Sequence, residues 1–317
     1  MNDVYDEVRP LLFSIAYRML GSASDAEDIV QEAFLRFHRA SVQGQTIGSP
    51  RSFLSTVTTR LCIDHLRSAR VRRERYVGPW LPEPVITDDG LEEEPWVRTA
   101  ESLSMAFLVL LESLSPVERA VFLLREVFDY RYDQIAEIVN KSEENCRQIA
   151  VRARRQVEQK RPRFEVSARR RDELARRFFE AVTNEDATAL VNLLAADVVF
   201  SADGGGKAAT VFPRPIYGRD PVLRTLLAAA AEGGTHVRVG GKRLRQNDVR
   251  FATVNGQPGA LFFGEDGNPL VVMTLDIAAG LVQAIRVIAN PDKLSHLSSS
   301  LAPRGTETCH SPEPTSS

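Results

Sequence analysis

Two sets of side chains in this 317-residue sequence have the types and spacing to do chemistry. The first is Asn145, Arg147, Gln148, Arg152 and Arg155, which share the outer face of a helix whose other face is Cys146, Ile149, Ala150, Ala153 and Val157. Arginine pairs bidentately with guanine, and Asn or Gln with adenine, so the chemistry is hydrogen bonding to base edges. The second is Asp203, His236, Asp248 and Asp276, each near a predicted strand or loop and each able to act as a general base. No paired arrangement is visible among them, and solvated carboxylates are common, so catalysis ranks second and the chain reads as a non-enzyme. Asp203 also opens the run Asp203, Gly204, Gly205, Gly206, Lys207. A phosphate loop of the GxxxxGK type needs a Ser or Thr after the lysine, and here Ala208 follows with the wrong glycine spacing. Three glycines instead permit positive φ and close backbone approach, as in a contact loop.

The elements that must position these groups fall into three modules. Residues 5–75 read as helices punctuated by Gly21, Gly44, Gly48 and Pro50; 76–100 as a linker with an extended start; 101–161 as helices again. Residues 168–294 open with a helix at Asp172–Val182 and continue through strand-like runs, VVFSA, HVRVGG, VRFATV, GALFFG, LVVMTLDI and LVQAIRVIA, which is an α+β pattern. The tail from Ser295 to Ser317 is poor in bulky apolar residues and reads as disordered. Charge is blocked along the chain: Glu83–Glu101 carries seven acidic residues and one arginine, Lys141–Arg163 eight basic and three acidic. The three cysteines are far apart with no metal-ligand spacing, no cofactor motif occurs, and no apolar run reaches membrane-spanning length, so a cytoplasmic protein without metal or cofactor is expected.

In the first module, Ala26, Ile29, Val30, Ala33, Phe34 and Phe37 share one face of a helix, and Ser24 with Glu27 has the spacing of a capping box. The opposite face carries Asp25, Asp28, Gln31 and Glu32 with Leu35 among them, which suits a basic partner helix. The next helix starts at Pro50 and turns basic, with Arg60, Arg67, Arg70, Arg72, Arg73 and Arg75 able to neutralise phosphates. In the second module Ser115, Pro116 and Glu118 form a helix start. Tyr132–Val139 is a short helix, Asn140 and Lys141 a turn, and Ser142 the cap of the helix carrying Asn145 to Arg155: a helix-turn-helix.

DAEDIVQEAFLRFHR followed by PRSFLSTVTTRLCIDHLRSARVRRER, together with the helix-turn-helix in family order, resembles the extracytoplasmic-function sigma factors of bacterial RNA polymerase. The resemblance implies that Asp25, Asp28, Gln31, Glu32 and Leu35 face core polymerase. It implies that Arg60, Asp64, Arg67 and Arg70 face the minus-10 promoter element, and that Asn145, Arg147, Gln148, Arg152 and Arg155 face the minus-35 element. YVGPWLPEP, DGGGK and NPDK are similar to motifs of the subgroup with a C-terminal SnoaL-like extension, which implies a cone-shaped NTF2-like domain with a curved sheet wrapping a helix. We expect a regulatory contact within the chain, joining Trp80, Leu81, Pro82, Glu83 and Pro84 to Asp203, Gly204, Gly205, Gly206 and Lys207, with Asn290, Pro291, Asp292 and Lys293 near the end of the extension. Two alternatives stay open: a helix-turn-helix regulator that binds duplex DNA without polymerase, and a SnoaL-like isomerase or cyclase fused to a DNA-binding region. A ligand of the cone is left unassigned.

Overall fold

A computed structural model describes residues 2–73, 76–87, 103–159, 167–208, 214–231, 238–239 and 242–300. His236 and Cys309 lie outside the described residues, as do the side chains of Arg70 and Asp248.

The first module is three helices, α1 (Asn2–Leu20), α2 (Ala23–Val42) and α3 (Pro50–Arg73). Gly21, at φ 68°, turns the chain between α1 and α2, a conformation in which a side chain is strained. The cap of α2 differs from the sequence expectation. Ser22 is the N-cap and accepts from Asp25 N. Glu27 instead pairs with Arg9 at 2.7 Å, and Ser24 turns toward Glu83. A carboxylate from a distant segment thus displaces the local capping box.

The second module holds α4 (Met105–Leu111), α5 (Pro116–Glu126), α6 (Tyr132–Val139) and α7 (Glu143–Glu158). Ser115 and Glu118 form the expected capping box, and the Ser115 hydroxyl holds the Glu118 carboxyl below its usual range. Asn140 takes the left-handed turn at φ 54° between α6 and α7, and Ser142 accepts from Asn145 N at 3.2 Å. The two helical modules share a core: Leu11, Ile15, Tyr17 and Leu66 pack with Phe107, Leu111, Phe122 and Val157. Arg119 Nη1 donates to the Met19 carbonyl at 2.6 Å, and Tyr130 Oη donates to the Ser55 hydroxyl at 2.8 Å.

The third module begins with α8 (Ala168–Thr183), longer at both ends than expected, and α9 (Ala187–Leu193). β1 (Leu194–Asp203), β2 (Ile216–Tyr217) and α10 (Arg219–Ala230) follow. The chain then runs through β3 (Arg238–Val239), β4 (Lys242–Val254), β5 (Gln257–Gly264), β6 (Pro269–Ala278) and β7 (Leu281–Ile288). The sheet order is β2-β1-β7-β6-β5-β4-β3, with β1 and β7 parallel and the other pairs antiparallel. Of HVRVGG, only Arg238 and Val239 are strand among the described residues.

Strand alternation gives the sheet two apolar faces. Phe200, Ala202, Ala260, Leu275, Ile277, Ile285 and Val287 pack with Phe178, Phe179 and Leu190 of the helices, forming the core of the α+β module. Val254, Leu261, Val272 and Ile288 face the other way and pack with Leu81 of the linker and Met105 of α4. α11 (Pro291–Ser300) closes that second face with Leu294 and Leu297, both buried. The expected disordered tail at Ser295 therefore begins inside a helix, because Leu294 and Leu297, three residues apart, share its packed face.

Candidate nucleic-acid interface and linker clasp

α7 presents Asn145, Arg147, Gln148, Arg152 and Arg155 to solvent, while Cys146, Ile149, Ala150, Ala153 and Val157 are buried. Arg147 pairs with Glu143, one turn earlier, and lies 5.2 Å from the Tyr132 ring centroid, with Arg125 at the same distance from that ring. The face is open, cationic and amide-bearing, which is what base-edge reading in a major groove requires.

On α2, Asp28, Gln31 and Leu35 are exposed, Leu35 at 51%. Asp25 lies 3.5 Å from His65, and Glu32 accepts from Arg36 at 2.8 Å. Asp28, Gln31 and Leu35 thus form an acidic-to-polar face with an apolar anchor that is exposed among the described residues. α3 is arranged differently. Arg67 is exposed and pairs with Asp64 at 3.2 Å. Arg60 donates through Nε to the Ile138 carbonyl at 2.9 Å and through Nη2 to the Glu137 carbonyl at 2.8 Å, so in this arrangement its fork is occupied by α6.

Residues 76–87 run along the second face of the sheet. Asp203, at the end of β1, is fully buried: its carboxylate accepts from Leu81 N at 2.8 Å, Tyr76 Oη at 2.5 Å, Gly205 N at 3.1 Å and Lys293 Nζ at 2.7 Å. Burial, reinforced by this carboxylate, pushes the Tyr76 hydroxyl well above its ordinary pKa, so it stays a donor. Lys293 also donates to the Leu81 carbonyl, and its ammonium lies 4.2 Å from the Trp80 ring centroid and 5.1 Å from that of Tyr76. A lysine boxed by two aromatic rings and closed by a carboxylate combines an ion pair with cation–π attraction. Asn290 donates to Tyr76 Oη at 2.9 Å and accepts from Asp292 N at 3.1 Å, ahead of Pro291 at the start of α11.

The glycines of the 203–207 run are spacers. Gly204 O accepts from Lys207 N, closing the turn. Gly205, at φ 57°, leaves no room for a side chain, since a Cβ there would overlap Asn290 Nδ2; a Cβ on Gly206 would sit 3.3 Å from Val77. Lys207 pairs with Asp292 at 2.6 Å on the surface. Gly205→Ala should therefore break the Asn290 contact and cost about 1–3 kcal/mol, through strain at positive φ plus the clash, read as a drop in thermal midpoint. Gly267→Ala, at φ 76° with open space around the added Cβ, is the matched control for the φ strain alone and is expected to fall less.

At the far side of the linker, Glu83 is buried at the N-terminus of α2. It accepts from Ser22 Oγ at 2.9 Å, Ala23 N at 2.8 Å, Ser24 N at 3.1 Å and Ser24 Oγ at 3.0 Å. A carboxylate there meets the orphan donors and the positive end of the helix dipole. Trp80 covers Gly21, where a Cβ would come within 2.7 Å of its ring. Pro82 and Pro84 are buried, and the Pro84 carbonyl contacts His296 Nε2 at 2.8 Å.

Sequence reasoning missed Asn255, the buried turn residue between β4 and β5. Its side chain accepts from Val85 N at 2.9 Å and donates to Tyr17 Oη at 2.6 Å and to the Leu103 carbonyl at 3.1 Å, so one amide touches the linker and both helical modules. Tyr17 in turn donates to the Glu83 carbonyl at 2.6 Å. A hairpin Asn reads locally as turn chemistry, and only its φ of 54° was legible in principle. Thr87 and Ile86 extend the sheet edge by bridging to Thr253 and Val254.

Of the four candidate bases, Asp203 is spent on the clasp and Asp276 is buried beside Arg286. Among the described residues no helix is long and apolar enough to cross a membrane, and no cluster of metal-ligating side chains occurs.

The Sigma-70 region 2 model matches residues 4–72, and the Sigma-70, region 4 model matches residues 104–157. The ECF RNA polymerase sigma factor SigJ of Mycobacterium tuberculosis is 37% identical over 299 residues, covering 92% of each chain. The probable ECF RNA polymerase sigma factor SigI of the same organism is 34% identical over 296 residues, covering 92% of this chain and 94% of that one. The crystal structure of Mycobacterium tuberculosis SigJ superposes with a TM-score of 0.72 at 34% identity, covering 93% of this chain and 98% of that one. With both regions in order and a relative matched along nearly the whole length, this chain belongs to the ECF RNA polymerase sigma factors and carries an α+β domain fused behind region 4.

Proposed function

We propose that the chain acts in the cytoplasm, binds core RNA polymerase through α2, reads the minus-10 element with α3 and the minus-35 element with α7, and is regulated in cis by its C-terminal domain. The α+β domain has no turnover of its own in this reading. Asp25, Asp28, Gln31, Glu32 and Leu35 are the polymerase contacts; Arg60, Asp64, Arg67 and Arg70 the minus-10 contacts; and Asn145, Arg147, Gln148, Arg152 and Arg155 the minus-35 contacts. The observation that carries the regulatory part is the clasp: Asp203, Asn290 and Lys293 hold Tyr76 and Leu81, and the same short linker delivers Glu83 to the N-terminus of the helix that carries the polymerase face. Whatever loosens the C-terminal domain thus changes the footing of α2.

The test is run-off transcription with bacterial core polymerase on a promoter selected with the holoenzyme. The full chain is compared with a version ending near Ser167 and with Lys293→Met. Initiation by the full chain that shifts at least about threefold in either direction on clasp loss supports regulation in cis; each tenfold corresponds to about 1.4 kcal/mol. Equal initiation by all versions removes the regulatory role. No initiation, with duplex DNA bound in the absence of core, would establish an ordinary helix-turn-helix regulator instead.

A further inference from the structure

The open side of α7 is polar with one exception. Val151 is 46% exposed, whereas Ile149, Ala150 and Ala153 around it are buried. At about 3.6 residues per turn, Glu144, Gln148, Val151 and Arg155 fall in one strip along the middle of the open face, all four exposed. The strip is flanked by arginines that already have partners: Arg147 pairs with Glu143, and Arg154 with Glu126. Val151 adds nothing to the core, and a β-branched residue is a weaker helix former than the Gln, Glu or Arg that fill the rest of this face. What its position offers is contact with an apolar group in the groove. Thymine alone presents one there, the C5-methyl group, and the remaining base-edge atoms of the major groove are donors and acceptors that valine cannot pair. Gln148 and Val151 are about 4.5 Å apart along the helix axis, close to the spacing of about 3.4 Å between successive base pairs, so the two side chains address neighbouring pairs.

We infer that Val151 is a specificity-determining residue: it reads the C5-methyl group of a thymine in the minus-35 element, in the base pair next to the one that Gln148 contacts. The inference rests on the reading of α7 as the minus-35 helix and adds an apolar contact to its hydrogen-bonding ones. No charge takes part in that contact, so the preference for thymine persists as salt rises while total affinity falls.

The test replaces each thymine of the minus-35 element, on either strand and one at a time, with deoxyuridine, which lacks only the methyl group. Binding of the holoenzyme is measured on a promoter selected with it. The unmodified chain should lose about fourfold in affinity at one position, the worth of one methyl-sized apolar group, and little at the others. Val151→Ser changes an exposed side chain and leaves the packed face of α7 intact, so it should bind thymine and deoxyuridine at that position equally. Deoxyuridine tolerated at every position by the unmodified chain overturns the inference, as does a minus-35 element without thymine, or a loss that persists in Val151→Ser. Gln148→Ala separates this from the underlying reading. If Gln148→Ala changes base preference within the element while deoxyuridine has no effect, only the role of Val151 fails. If neither Gln148→Ala nor Val151→Ser changes base preference anywhere in the element, the assignment of α7 to it fails.

Discussion

Lys293→Met releases the C-terminal domain from the linker at a cost of about 3 kcal/mol, the lower end of what breaking a buried ion pair costs. The lower end applies because Asp203 keeps three donors after the ammonium is gone: Leu81 N, Tyr76 Oη and Gly205 N. Methionine fills the same channel between Trp80 and Tyr76 but supplies neither charge nor donor. Asp203→Asn leaves the ammonium with the Leu81 carbonyl and two aromatic rings. The double replacement should cost less than the sum of the single ones by about 1–3 kcal/mol, the coupling of residues in one network. Trp80 fluorescence, with Trp96→Phe to isolate it, follows the release during urea unfolding. Additive single effects would mean that the pair is incidental to docking.

Glu83→Ala is the second large effect, and it acts on the other end of the linker. Four donors to one buried carboxylate are left behind, and the N–H groups of Ala23 and Ser24 lose their acceptor. Hydrogen bonds to a charged group are worth about 1.5–3 kcal/mol each and do not add, so a loss of about 3 kcal/mol is expected. It should appear locally, as roughly 100-fold faster hydrogen exchange at the Ala23 and Ser24 amides, with weaker binding to core polymerase. Glu83→Gln keeps the shape but turns an amide N–H toward those same donors, so it rescues only part of the loss. Amides exchanging at the wild-type rate in Glu83→Ala would show that Ser22 alone caps the helix.

The helix-turn-helix was legible because each of its determinants is local: Ser115 with Glu118, Asn140 in a left-handed turn, Ser142 as cap, and an apolar spacing from Cys146 to Val157. The strands from β4 to β7 were legible for the same reason, through alternation between turns. The α2 cap was misread because a plausible local partner, Glu27, was nearer in sequence than Glu83, and the competition was settled by Arg9. The bonds of Arg60 to the α6 carbonyls were not legible because nothing in its own helix announces them. Asp203 and Lys293 were flagged by motif resemblance. Their pairing, and the part of Asn255, depend on contacts between segments more than 80 residues apart, and local pattern carries no information on those.

Lys293 lies 212 residues beyond Leu81 in the chain, and this separation has a consequence during synthesis. At about 5–20 residues per second, the linker leaves the ribosome on the order of 10–40 s before the lysine that grips it. During that interval region 2, the linker and then region 4 exist without their clasp, with Leu81 and Trp80 uncovered by α11. The linker of a nascent chain is therefore ungripped for that interval, and the clasp belongs only to finished molecules.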